Sequence, residues 1–167
     1  VRLPMNSHQT MNFLLICLLW RTPVLQAQSN RIPVGHSALL PQSEGMRLTT
    51  QCSRRGVSGV QTTWVPSASQ LTEMEIELSK FLASKHPKIL KSAEKLYLQY
   101  VGFVVNGRQI IYINAFDEFQ VHPPFLDEPV DWKKVAMKIC DGGRVFWGLE
   151  YDPISKSFSN MAFNGNA

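Results

Sequence analysis

Asn106-Gly107 stands between two runs of strand-forming residues, Leu96–Val105 (LYLQYVGFVV) and Arg108–Phe116 (RQIIYINAF). The central pair of a type I′ turn needs positive φ at both positions, which Asn and Gly adopt at little cost. A two-residue loop then sets the register: Val105 faces Arg108, Phe103 faces Ile110, and Val101 faces Tyr112. Side chains alternate across a strand, so the register also sorts the faces. Leu98, Tyr100, Gly102 and Val104 share one face with Ile111, Ile113 and Ala115. That face is almost wholly apolar and calls for a covering helix, with Gly102 inviting close approach. The opposite face mixes Gln99, Arg108, Tyr112 and Asn114 with Val101, Phe103 and Ile110, and reads as either solvated or a contact surface.

The covering helix is legible just upstream. Leu71, Met74, Leu78, Phe81 and Leu82 recur at three- and four-residue spacing, one apolar stripe of an amphipathic helix. Ser67 with Gln70 fits a capping box, and Pro87 ends the run. Glu73, Glu75 and Glu77 sit toward its N-terminal end, with Lys80, Lys85 and His86 toward the other, as the helix dipole favours. Residues 88–95 (KILKSAEK) read as a short second helix. Downstream, Trp132–Cys140 (WKKVAMKIC) reads as a third strand and Asp141-Gly142-Gly143 as a turn. Arg144–Tyr151 (RVFWGLEY) reads as a fourth strand with Val145, Trp147, Leu149 and Tyr151 on one side. Asp152–Lys156 is a second turn and Ser157–Phe163 a fifth strand. The predicted class is α+β: one long N-terminal helix packed on a curved antiparallel sheet of four to five strands.

Trp64-x-Pro66, Gly142-Gly143, Tyr151-Asp152-Pro153 and Asn164-Gly165 punctuate this layout. With those turn and core residues, the stretch from Trp64 to Ala167 resembles the cystatin-like and nuclear-transport-factor-like group of small folds, and small exported bacterial proteins of that shape. The resemblance implies a sheet wrapped on a helix. It speaks to fold rather than function. Cystatins carry Gln-x-Val-x-Gly on an inhibitory hairpin. Here Gln99-Tyr100-Val101-Gly102 brings the Gly one place early, so the resemblance does not extend to protease inhibition by that motif.

Upstream of the domain, Phe13–Trp20 (FLLICLLW) is the longest apolar run, followed by a small residue at Ala27. Residues 1–27 read as a signal peptide and the protein as exported, periplasmic or secreted. Residues 28–60 are rich in Ser, Gly, Pro and Gln without a period and read as a flexible linker or arm. Residues 61–167 then form a single domain. Two of the 17 basic residues and none of the 13 acidic ones precede residue 28, so processing lowers the net charge from +4 to +2. No run reaches the 18 apolar residues of a membrane span, so no stable span is expected after leader removal. No basic-aromatic signature points to nucleic acid.

With Cys17 in the leader, Cys52 and Cys140 remain, an even pair that invites a disulfide in an oxidising compartment. The competing reading is a Cys140 thiol nucleophile with His86 or His122 as base, which no local motif supports. His122 with Asp117, Glu118, Asp127 or Glu128 has the right donors for a divalent ion but matches no loop motif. No phosphate loop, nucleophile elbow or metalloprotease helix occurs, so no cofactor, metal or catalytic residue is assigned.

The acidic loop at 117–131 (DEFQVHPPFLDEPVD) carries the one candidate surface: Phe119, His122, Phe125 and Asp127. Large apolar side chains among prolines on a long connection can anchor a protein partner. Their other fate is to fold back on the sheet. Three functions stay open: a small non-enzymatic binding module, a ligand-binding protein or enzyme using the helix–sheet cavity, and an envelope-associated structural protein.

Overall fold

The computed structural model describes residues 36–122, 128 and 130–166. Residues 1–27, expected to be a signal peptide, lie outside them, as do Phe125 and Asp127. The chain is α+β, with a mixed sheet of six strands and a few helices. β3 (Leu96–Val105) and β4 (Arg108–Asp117) form the central hairpin. Its register is the one expected, Val105 opposite Arg108 and Val101 opposite Tyr112. Asn106 and Gly107 have φ of 49° and 76°, the positive pair that the turn requires. β5 (Trp147–Asp152) pairs antiparallel with β4, and β6 (Ser157–Phe163) with β5.

Two short strands share the free edge of β3. β1 (Ser37–Leu39) lies parallel to Leu98–Tyr100. β2 (Val60–Trp64) lies antiparallel to Gly102–Val105. The sheet is therefore mixed rather than purely antiparallel, and the first elements of the domain are strands. The long helix, α2 (Ala68–Lys85), follows β1, the short α1 (Gln42–Gly45) and β2. The capping box is present: the Ser67 hydroxyl accepts from Gln70 N, and the Gln70 side chain accepts from Ser67 N.

α2 buries Met74, Leu78 and Leu82 completely, against Leu98, Tyr100, Ile111, Ile113, Trp147, Leu149 and Tyr151. Each full burial contributes about 1.5–3 kcal/mol before entropy, so this layer dominates helix stability over propensity. Gly102 does allow a close approach, but by β2. A Cβ there would lie 2.4 Å from Trp64 O and 2.9 Å from Pro66 Cδ. Trp64 fills the space beside it, and its Nε1 donates to the carbonyls of Phe103 and Ile110, both at 3.1 Å.

The second face of the sheet is not solvated. Val101, Phe103, Ile110 and Tyr112 are buried beneath Leu40, Leu48, Val57 and Ala136. Tyr97 and Phe116 pack with Val121, Trp132, Met137 and Phe146. Residues 36–60 are accordingly part of the fold, where the sequence suggests a linker or arm. Their apolar residues lack a period because they descend on the sheet singly from turns and short helices. Residues 132–140 form no strand either. Their backbone bonds to side chains of the sheet, which removes the reason to pair in a ladder. The expected fourth strand begins late, at Trp147, after a 3₁₀ turn at Gly143–Val145 that leaves Val145 exposed. In place of the second helix come α3 (Pro87–Leu90) and a 3₁₀ turn at Ala93–Lys95.

Candidate functional site

Gln99 and Asn114 are opposite each other in the hairpin and almost wholly buried. Gln99 Nε2 donates to the carbonyls of Trp132 at 2.6 Å and Val135 at 2.7 Å. Its Oε1 accepts from Met137 N at 3.0 Å and Asn114 Nδ2 at 2.9 Å. Asn114 Nδ2 also reaches Met137 O at 2.9 Å. Arg54 donates to Asn114 Oδ1 and, at 2.6 Å, to Asn164 Oδ1. Asn164 Nδ2 returns to the carbonyls of Ile139 and Asp141 at 2.7 and 2.8 Å. Glu44 Oε2 accepts from Ala136 N at 2.9 Å. That bond leads the causes that hold the Glu44 carboxyl below its ordinary range, against a burial effect that raises it and with the help of Arg47. The two covering segments are thus stapled to the sheet through the amides of Gln99, Asn114 and Asn164, the Arg54 guanidinium and the Glu44 carboxylate, a structural use of groups that otherwise look available for chemistry, with Arg54 Nε left buried and unpartnered.

Cys52 and Cys140 are bonded, with Cα atoms 5.3 Å apart. The bridge joins the covering segments to each other. A disulfide-bonded Cys140 offers no thiolate, so the pairing with His86 or His122 has no nucleophile. Among the described residues no group of three or more His, Cys, Asp and Glu is placed to hold a metal ion. No helix among them is long and apolar enough to cross a membrane.

Of the loop residues singled out in the sequence, Phe119 and His122 are described, and both are exposed. Phe119 sits on a 3₁₀ turn, Glu118–Gln120, capped by Asp117, whose Oδ1 accepts from Phe119 N. At 52% exposure its ring is not folded back on the sheet. Val121 is the loop residue that turns inward, and it is 2% exposed. His122 lines an open cavity of about 330 Å³ with Val121, Val130, Asp131, Trp132 and Lys133. One wall is the buried Trp132, which is packed edge-on against Tyr97. The sequence shows this surface through its Phe and Pro residues. It does not show the contribution of Trp132 and Lys133, which follow the loop in the chain.

A second concave region lies on the helix side of the sheet, where α2 ends. A cavity of about 200 Å³ is lined by Lys88, Ile89, Ser92, Leu96, Arg144 and Trp147, among others. A neighbouring one of about 230 Å³ is lined by Lys85, His86, Pro87, Lys88, Ile89 and Arg144. Burial first, and Arg144 second, hold the His86 imidazole below its ordinary value. The lysine-rich stretch of the sequence marks this corner, but Arg144 and Trp147 come from another part of the chain.

Inside the helix–sheet layer itself the Tyr100 and Tyr151 phenols and the Trp147 indole are buried, the Tyr151 hydroxyl and Trp147 Nε1 without a partner. The Tyr100 hydroxyl donates to Glu75 Oε1 at 2.9 Å, and Ser37 Oγ donates to the same oxygen. No protein-family model, no curated protein and no solved structure matches this chain.

Proposed function

We propose that the protein is a small exported, non-enzymatic binding module that engages a protein partner through the 117–131 side of the sheet. The observation that carries this reading is the exposed Phe119, two positions along the chain from Val121, which lines an open cavity with His122, Trp132 and Lys133. An exposed aromatic next to a concavity with a rigid aromatic wall is the arrangement that interface anchors use. On the second face Gln99, Asn114 and Asn164 are engaged in holding the cover to the sheet, whereas Phe119 and His122 face outward. Export is supported by the Cys52–Cys140 bridge, since such bonds persist in oxidising compartments. The sheet with α2 packed on one face supplies the platform on which the rim is displayed.

The test is site-specific photo-crosslinking in the cells that make the protein. A photoreactive side chain at position 119 is compared with one at Ile154, which is 86% exposed on a hairpin turn. The proposal expects a discrete adduct at 119 that excess unlabelled protein competes away, and none at 154. Identical adduct patterns at the two positions would remove the role of this rim.

A further inference from the structure

The two cavities at the end of α2 share Lys88, Ile89 and Arg144, so an apolar hollow and a basic rim adjoin. Ile89, Leu96 and Trp147 supply the apolar wall. Among the described residues neither Lys88 nor Arg144 is paired with a carboxylate. Arg144 is positioned rather than free, with its guanidinium 4.4 Å above the Phe163 ring. His86 meets the edge of that same ring at a centroid distance of 5.8 Å. Trp147, which lines the hollow, is 0% exposed, and its Nε1 is buried without an acceptor, so its indole N–H resonance reports on changes in this wall.

We propose that this cleft binds a small amphipathic carboxylate, with its apolar body against Ile89, Leu96 and Trp147 and its charge between Lys88 and Arg144. The volume sets the size. At about 200 Å³ the apolar hollow falls below the roughly 300–1,000 Å³ of sites for drug-sized ligands. A short acyl chain suits it and a polycyclic ligand does not. The charge sets the head group. Two cations flanking an apolar wall favour an anion whose remaining atoms are hydrophobic, and disfavour a small hydrated anion that gains nothing from the wall. This site lies on the face of the sheet opposite the Phe119 rim and goes beyond the proposed partner contact. Either can fail without the other.

The experiment is a titration of the ¹⁵N-labelled protein at constant ionic strength with octanoate, octanol and acetate. It follows the Trp147 indole N–H resonance and the His86 imidazole. Octanoate is expected to shift the Trp147 resonance saturably and to raise the His86 pKa, because an anion bound beside the ring favours its charged form. Octanol and acetate are each expected to bind at least about tenfold more weakly, the loss typical of a missing charge-assisted contact or of the apolar body. Lys88→Gln and Arg144→Gln are expected to weaken octanoate by roughly tenfold each, with the rest of the spectrum unchanged. The proposal is overturned by the absence of a saturable shift at millimolar octanoate, by equal binding of octanol and octanoate, or by unaltered affinity in both variants.

Discussion

The residue that best separates this fold from its sequence is Gln99. On a strand, its place beside Asn114 on a half-polar face suggests water. In the structure both are buried, and the Gln99 amide makes four hydrogen bonds, three of them to the backbone of residues 132–137. Replacing it strands Met137 N and two carbonyls, each costing about 1–3 kcal/mol if it stays dry. Gln99→Ala is therefore expected to lower unfolding free energy by about 3 kcal/mol and to speed hydrogen exchange at Met137. Gln109→Ala, on an exposed position of the same hairpin, should stay within about 0.5 kcal/mol. Equal effects in a urea titration would mean that the buried amide network contributes nothing. No periodicity argument exposes such a residue, because its partners come from an irregular segment.

Tyr100 makes a pH prediction at the same scale. Burial, and then the Glu75 carboxylate that accepts its proton, push the phenol well above its usual 10.0. Above about pH 10 the unfolded chain loses this proton while the folded one keeps it, so stability is full below that pH and declines as pH rises. Tyr100→Phe is expected to flatten the decline in thermal stability as pH rises above about 10. An unchanged slope would place the cause elsewhere.

At the scale of elements, the parts set by local chemistry were legible and those set by cover were not. The β3–β4 register follows from Asn106-Gly107 and the apolar alternation around it. α2 follows from its stripe and its capping box, and Ser67→Ala is expected to cost about 1 kcal/mol in denaturant titration. Strand signals misled at 132–140, where Val135, Met137 and Ile139 alternate as a strand would. There, side-chain acceptors and donors on the sheet outcompete a ladder. The segment at 36–60 misled for the opposite reason, as it contributes Leu40, Leu48 and Val57 to the core without any pattern. In the loop, the exposure of Phe119 and His122 is what their place among prolines suggests, whereas the meeting of His122 with Trp132 and Lys133 in one cavity is not, since only the fold brings them together.

The Cys52–Cys140 bridge ties these two pattern-poor segments together across 88 positions. In the chain-entropy model a loop of that length is worth about 4–5 kcal/mol, as an upper figure. Cys52→Ser with Cys140→Ser should approach that loss in a urea titration. Exchange should rise first in the covering segments while α2 and the central hairpin stay protected. Uniform loosening of the whole chain would show that the cover and the hairpin are one cooperative unit.

For the whole molecule, the layers form a sequence of causes. A hairpin with one apolar face recruits α2. Its half-polar face recruits two irregular segments through Gln99, Asn114 and Arg54. A disulfide between those segments closes the cover. Among the described residues, the exposed Phe119 lies on one face and the cleft lined by Lys88, Ile89 and Arg144 on the other, the two surfaces proposed above for binding. The proposed export and the Cys52–Cys140 bridge are tested together by the intact mass of protein from its natural source, alkylated before and after reduction, with peptide mapping. The proposal expects a chain beginning near Gln28. Both Cys52 and Cys140 should resist alkylation until reduction, in one linked peptide. An unprocessed chain whose two thiols alkylate without reduction would contradict it.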